Sequence, residues 1–292
     1  MRLLCVDNGY GDTKVKTSDR LYKFNSKVQQ AINNEGTVIQ FNGVNYQIGL
    51  GQDDICMDKS NSIVHQLCLL KAIAENTEDK EEINLMLDLP LTHYYNVEYR
   101  NEFKESVLTN KTFKYNGKIR SINIVQIEAC PQGLSSLYAN NTDIYKNKII
   151  GIIDIGVLTI DGCVVDNLKP IKETIFSINY GTLILENKIK TALNQEFMLN
   201  IQNYKMPYII QNGLSDIEGA NIVIQNCIED YFCNIKREMM AKNWSLETLN
   251  ILGIGGGCIL LNDMLSIHFK YIPSQNPIYD NVLGLWKIGE RL

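Results

Sequence analysis

The chain has 292 residues, a length that predicts about two domains, each able to bury its own core, and that excludes a peptide hormone or a disulfide mini-protein. Hydrophobic residues make up 45% and charged residues 21%, with 6 prolines, the balance of an ordinary globular protein and not of a disordered or collagen-like one. Lys+Arg 28 against Asp+Glu 33 leaves a net charge of −5, which favours solubility and argues against a surface that grips nucleic-acid phosphates directly.

The apolar run Leu3 to Val6 ends in Asp7-Asn8-Gly9-Tyr10-Gly11-Asp12, a pattern that predicts a buried strand, a glycine-bearing turn and a return strand through Val15. Asn-Gly between alternating segments predicts two more hairpins: Thr37 to Phe41 with Val44 to Ile48, and Thr112 to Tyr115 with Lys118 to Val125. Between them, Ser60 or Asn61 can cap a helix in which Ile63, Val64, Leu67, Leu70, Ile73 and Ala74 recur at helical spacing. Ile83 to Leu89 reads as a strand closed by Pro90, and a helix is expected from about Val97 to Leu108. Pro131 is expected in the first turn of another helix that runs to about Asn140.

At Ile149 the opening pattern returns. Ile149 to Ile153 is apolar, Asp154-Ile155-Gly156 is an acidic glycine turn, and Leu158 to Val165 is a return strand, so the chain reads as two similar α/β domains related by duplication. Helices follow from about Gly181 to Leu193 and Asn221 to Lys242, then a strand from Asn250 to Gly253, and Gly255-Gly256-Gly257 enters a helix to about Leu265.

Glycine turns after a strand expose backbone N–H groups with no Cβ to hold an anion away, which suits nucleotide phosphates. Each turn carries an aspartate, Asp7 or Asp154, and a carboxylate beside a phosphate calls for a divalent cation such as hydrated Mg²⁺ between them. A plain hairpin with Asp in the turn is the other reading of each turn alone. The glycine triplet leads from a strand into a helix N-terminus, where an anion is favoured and a base and sugar can approach closely. It matches neither G-x-G-x-x-G nor G-x-x-x-x-G-K-[ST]. The eight cysteines lie in apolar runs or beside glycines without any C-x-x-C pair, which predicts buried free thiols in a reducing cytosol. The N-terminal apolar run stops at Asp7 and no segment approaches the ~20 apolar residues of a membrane span, so a cytoplasmic protein is expected. His65, His93 and His268 show no zinc-binding spacing, and Trp244 and Trp286 read as packing residues.

Taken in order along the whole chain, these motifs resemble the actin-like ATPases, and within them the bacterial plasmid-segregation proteins of the ParM type. Asp7-Asn8-Gly9-Tyr10-Gly11-Asp12-Thr13-Lys14 is similar to the first phosphate loop, Ile152-Ile153-Asp154-Ile155-Gly156 with Thr159 to the second, and Gly255-Gly256-Gly257 to the adenosine motif. Leu89-Pro90-Leu91-Thr92 before Tyr94-Tyr95, Glu128 with Pro131 and Gly133, and Tyr279-Asp280 before Gly284-Leu285 resemble the ParM type in particular. Val157 and Leu158 stand where that family usually has a second glycine and a first threonine, and Tyr10 where a small hydroxyl residue is usual. Valine disfavours the positive φ that glycine allows, which points to a weaker phosphate grip.

The resemblance implies an α/β actin-like ATPase fold of two RNase H-like domains with a nucleotide cleft between them. The first domain would cover 1–147, with a smaller subdomain at about 25–78 and the helix at 277–292 packing back on it. The second would cover 148–276, with a smaller subdomain at about 194–248. It implies phosphate contacts from Asn8, Gly9, Tyr10, Gly11, Lys14, Gly156 and Thr159, nucleoside contacts from Gly181, Gly255, Gly256 and Gly257, Mg²⁺ held through water by Asp7 and Asp154, and Glu128 orienting the attacking water. The implied function is a polymer driven by ATP, or GTP, that segregates plasmid DNA through a small DNA-binding adaptor on a centromere-like site. Direct nucleic-acid or membrane contact is not expected. A small-molecule kinase of the same superfamily and a non-hydrolysing nucleotide-binding regulator are the alternatives, since fold alone does not fix function.

Overall fold

The computed structural model describes residues 2–32, 36–53, 56, 58–109, 112–139 and 142–292. The chain divides into two units, Met1–Thr142 with Tyr279–Leu292, and Asp143–Ile278.

The first unit opens with β1 (Arg2–Asn8), β2 (Asp12–Lys16) and β3 (Leu21–Asn25), an antiparallel meander. A second set follows: β4 (Lys27–Gln30), β5 (Thr37–Phe41), β6 (Val44–Ile48) and β7 (Gln52–Asp53). Helix α1 (Ile63–Asn76) starts where the Ser62 side chain accepts the His65 N–H, which satisfies one of the unpaired amides of the first turn. Then come β8 (Glu82–Leu89), α2 (Leu91–Tyr95), α3 (Val97–Thr109), β9 (Thr112–Tyr115), β10 (Lys118–Ser121), β11 (Asn123–Pro131) and α4 (Ser136–Ala139). One sheet has the order β11-β8-β1-β2-β3, with β8 parallel to both β1 and β11. The other has the order β10-β9-β5-β6-β4-β7.

Both Asn-Gly hairpins form with positive φ at Asn42, Gly43, Asn116 and Gly117, the geometry that twists with the strands. They also pair with each other, Ile39 opposite Tyr115. Helix α1 is apolar nearly all round because both of its sides are covered. Leu69, Ala72 and Ile73 pack with Leu4, Val6, Leu85 and Leu87 of one sheet, and Leu67, Cys68, Leu70 and Ala74 with Ile39, Phe41 and Ile48 of the other.

The segment after Glu128 differs from expectation. Pro131 ends β11, opposite Leu89, instead of starting a helix, and its missing N–H is tolerated because β11 is an edge strand. The helix is the single turn α4, and Asn140, its expected end, lies outside the described residues.

The second unit contains β12 (Ile149–Ile155), β13 (Ile160–Asp166), β14 (Lys169–Pro170), β15 (Phe176–Ile178), α5 (Thr182–Glu196), α6 (Met206–Asn212), α7 (Ala220–Ala241), β16 (Asn250–Ile254), α8 (Gly256–Leu260), α9 (Asn262–His268) and β17 (Lys270–Pro273). Its sheet runs β14-β13-β12-β16-β17, with β12–β13 and β13–β14 antiparallel and β12–β16 and β16–β17 parallel. The first unit repeats this plan strand for strand. On α7, Ile224, Ile228, Tyr231, Phe232, Ile235 and Met239 recur at helical spacing and are buried against α5 residues Leu185, Ile189 and Leu193. Trp244 is buried, with its indole N–H donating to the Thr174 carbonyl at 2.8 Å. After the glycine triplet, a break at Leu261 makes two short helices where one was expected.

Helix α10 (Asp280–Gly289) closes the first unit, setting Val282 and Leu285 on Cys5, Met86 and Cys130. All eight cysteines are free thiols. Six are buried, Cys56 is half-buried and Cys233 is exposed.

Candidate functional site

In the first unit the β1–β2 hairpin carries the candidate loop. Asp7 is 1% exposed and lies opposite Lys14, whose ammonium is 3.2 Å from Asp7 Oδ2. The Asn8 side chain is engaged at both ends: Oδ1 accepts from Thr13 Oγ1 at 3.0 Å and Nδ2 donates to the His65 carbonyl at 2.8 Å. Gly11 accepts at its carbonyl from Ser26 N–H at 3.0 Å. A Cβ on Gly9 would lie 2.9 Å from the Asp12 carbonyl oxygen, so the turn closes tightly at that position. Tyr10 turns inward, buried edge-on against the His65 ring at 5.1 Å. Its ring therefore packs under the loop, and its backbone is what it presents to an anion.

Three residues join this end of the sheet that no motif had marked. Asp88, at the end of β8, is 2% exposed, and neither carboxylate oxygen accepts a hydrogen bond. Burial first, and then the charge of Asp7, push it well above the usual carboxylate range, against the pull of Lys59 and Lys14. Gln132 places Nε2 3.5 Å from Asp7 Oδ1. Lys59, 3% exposed, donates to the Asn8 carbonyl at 2.9 Å.

Glu128 is not part of that group. It lies opposite Met86, two residues before Cys130, the residue level with Asp88, hence roughly 7 Å further back along the strand. Its carboxylate is 2.8 Å from the Lys104 ammonium.

In the second unit the equivalent hairpin places Asp154, 8% exposed, opposite Asp161, 4% exposed. The loop 156–159 is closed by Gly156 N–H to the Thr159 carbonyl at 2.9 Å. Neither Val157 nor Leu158 has a positive φ, so Val157 in place of the family's second glycine introduces no backbone strain. The start of α5 is bonded to the same loop: Gly181 N–H donates to Leu158 O, Thr182 N–H to Gly156 O and Leu183 N–H to Val157 O, each at 3.0 Å. Gly181 thus meets the loop backbone, where a Cβ would lie 2.3 Å from Val157 O.

Of the triplet, Gly255 has φ 84 and ψ 163, a region open essentially to glycine alone. It lies over Asp154, where a Cβ would be 2.4 Å from Oδ1. A Cβ on Gly257 would strike Ile155, whereas one on Gly256 meets nothing within 4 Å. The structure therefore gathers Asp154, Gly156, Thr159, Gly181 and the glycine triplet within one unit, and Asp7 to Gly11 with Lys14 within the other.

Among the described residues no three His, Cys, Asp or Glu side chains form a metal-holding group. Asp7 in the first unit and Asp154 in the second each offer a buried hard oxygen donor, the kind that suits Mg²⁺, which keeps most of its waters and takes few protein ligands. Among the described residues no helix is long and apolar enough to cross a membrane.

Residues 5–134 match the family of actin-like protein N-terminal domains. A search of curated protein sequences returns no match. Among solved structures, the archaeal actin homologue Ta0583 in complex with ADP is similar over 100% of both chains, at 20% identity and a TM-score of 0.80. A 15-stranded ParM filament from Clostridium botulinum is similar over 100% of this chain and 99% of that one, at 18% identity and 0.78. The Alp12 filament structure is similar over 99% and 98%, at 21% identity and 0.72. The resemblance read in the sequence is thus borne out: the chain has the actin-like fold over its length, and residues 5–134 match the actin-like N-terminal family.

Proposed function

We propose that this chain is a nucleotide-dependent polymerising ATPase whose filaments segregate plasmid DNA. The observation that carries the reading is the duplicated hairpin: in each unit a buried aspartate, Asp7 or Asp154, ends the first strand of a sheet of the same order and leads into a glycine turn. The ADP in the Ta0583 complex and the filament forms of ParM and Alp12 support it.

In this reading residues 1–147 with the C-terminal helix, and residues 148–276, are the two actin-like domains. The turns at Asn8 to Gly11, with Lys14, and at Gly156, with Thr159, bind the phosphates of ATP or GTP through backbone amides and a cation. Gly181 and Gly255 to Gly257 admit the nucleoside, with Gly256 offering the open face. Asp7 and Asp154 hold hydrated Mg²⁺, which offsets phosphate charge. Glu128 orients the attacking water after release from Lys104. Assembly is head-to-tail and open, giving filaments. A net charge of −5 suits a polymer that reaches DNA through a small adaptor at a centromere-like site.

The test is light scattering with pelleting of the purified protein in Mg-ATP, Mg-GTP, Mg-ADP or no nucleotide. Triphosphate-dependent growth that decays as phosphate is released is expected. Binding without assembly in any nucleotide would refute the polymer and favour a small-molecule kinase or a non-hydrolysing regulator.

A further inference from the structure

A short corner at residues 58–65 holds the first turn from outside the hairpin. Asp58 ties it together, accepting from Ser60 N–H at 3.0 Å, Ser60 Oγ at 2.6 Å, Asn61 Nδ2 at 2.6 Å and the Tyr99 hydroxyl at 3.0 Å. Lys59 sits inside this knot. Its ammonium is 2.9 Å from the Asn8 carbonyl and 5.8 Å from the centre of the Tyr10 ring.

An ammonium has three N–H donors, and Asn8 takes one. A carbonyl does not neutralise a charge, and a buried cation normally has an anion against it. Lys14 has Asp7. Among the described residues Lys59 has no such pair. The carboxylate that shares its surroundings, Asp88, accepts no hydrogen bond from it. Lys59 and Asp88 border one cavity of about 30 Å³, walled mostly by apolar side chains such as Leu69, Leu87 and Phe103. That volume gives room for one or two waters. A buried cation with no carboxylate in contact, anchored on the carbonyl of Asn8 at the glycine turn, is a local rule broken, and functional sites are where such breaks concentrate.

We propose that Lys59 is a phosphate-side residue of the nucleotide site, a second ammonium beside Lys14 that answers the charge of the terminal phosphates, so that the 58–65 corner responds to phosphate number. The assignment rests on the nucleotide-binding reading above. It makes Lys59 a specificity-determining group: affinity for the nucleoside and first phosphate is set elsewhere, and the increment added by further phosphates depends on the buried ammonium.

The experiment is calorimetric titration of AMP, Mg-ADP and Mg-ATP into the parent, Lys59→Met and Lys59→Arg, with a thermal melt of each. Lys59→Met is expected to weaken Mg-ATP by roughly 10- to 100-fold, the size of one charge-assisted contact, while AMP changes by less than about 3-fold and Lys59→Arg keeps most of the ATP affinity. Equal affinities for all three nucleotides in parent and Lys59→Met, or a uniform loss that tracks a lowered Tm, would overturn the assignment and leave Lys59 a packing residue. Should Lys59→Met fail to fold, the pair Lys59→Gln with Asp88→Asn removes cation and carboxylate together, and the same ATP-selective loss is expected. A parent that binds none of the three refutes the nucleotide reading itself, and the assignment falls with it.

Discussion

Gly255→Ala tests the candidate nucleoside loop without any ligand. The residue sits at φ 84, ψ 163, where a side chain costs about 1–3 kcal/mol in backbone strain. The added Cβ would also lie 2.4 Å from Asp154 Oδ1 and 2.5 Å from the Ile155 carbonyl. The carbonyl cannot swing away, since it belongs to the sheet, and the Gly255 N–H is itself held by Pro277 O at 2.8 Å. Overpacking of this kind costs about 1–3 kcal/mol, so the total is about 2–6 kcal/mol. With a urea slope near 2 kcal/mol/M, the midpoint of the second unit falls by about 1–3 M. Trp244 lies in that unit and Trp286 in the other, so Trp286→Phe leaves a fluorescence signal for the relevant transition alone. The neighbouring Gly256→Ala is the control: its Cβ meets nothing within 4 Å, and the midpoint should stay within about 0.3 M or rise slightly from better helix propensity. Gly256→Val should keep that stability yet lose nucleotide affinity, because its bulk occupies the open face. A Gly255→Ala protein as stable as its parent would refute the strain argument, and equal losses at 255 and 256 would refute the geometry of the triplet.

Glu128→Ala is expected to slow nucleotide hydrolysis by roughly 10²- to 10⁴-fold, and Lys104→Ala, which frees the carboxylate, to preserve or raise it. Phosphate release at the parental rate from Glu128→Ala would transfer the water-orienting role to Gln132, which already faces Asp7. For Asp58, partial burial raises the carboxyl, but hydrogen bonds from Ser60, Asn61 and Tyr99 outweigh it and hold the group down at about 2. A depressed native value stabilises above the unfolded value near 4 and is lost as pH falls from about 4 to 2. The difference in Tm between parent and Asp58→Asn should therefore be full at pH 6 and vanish near pH 2. A constant difference across that window would place the effect of Asp58 outside its charge.

What the sequence disclosed was local. Asn42-Gly43 and Asn116-Gly117 announce their turns because positive φ is a property of those residues, and Asp-x-Gly after an apolar run announces both hairpin turns because carboxylate and glycine are neighbours in the chain. What it hid was made by packing across the chain. Asp88 sits in a run that reads as an ordinary strand, and only the parallel pairing of β8 with β1 brings it level with Asp7. Lys59 lies 51 residues from the carbonyl it holds, a distance no periodicity spans. Tyr10 looked like a defect in a phosphate loop, but His65, brought there by α1, gives its ring a place to pack. Pro131 carried a helix-start signal, and the edge of the sheet overrode it.

The two hairpins are built alike but charged differently. Seven residues after its aspartate the first unit has Lys14, and at the same spacing the second has Asp161. Facing residues on antiparallel strands hold their Cβ atoms about 5 Å apart, so the first unit has an internal ion pair where the second sets two buried carboxylates opposite each other. Like charges directly opposite destabilise, by about 0.2–1 kcal/mol at exposed positions and more when water is excluded. An acid retained there gains from a bound cation, the role proposed for Asp154. Asp161→Asn is therefore expected to raise the Tm of the ligand-free protein by about 1–4 °C, at about 2–4 °C per kcal/mol for a domain of this size. The same change should shrink the further rise on adding Mg-nucleotide, because the relief of repulsion that the proposed Mg²⁺ would provide has already been supplied. Asp161→Asn melting below its parent without ligand would show that the second carboxylate is held by the fold itself, and would separate the duplicated geometry of the hairpins from any shared task of binding a cation.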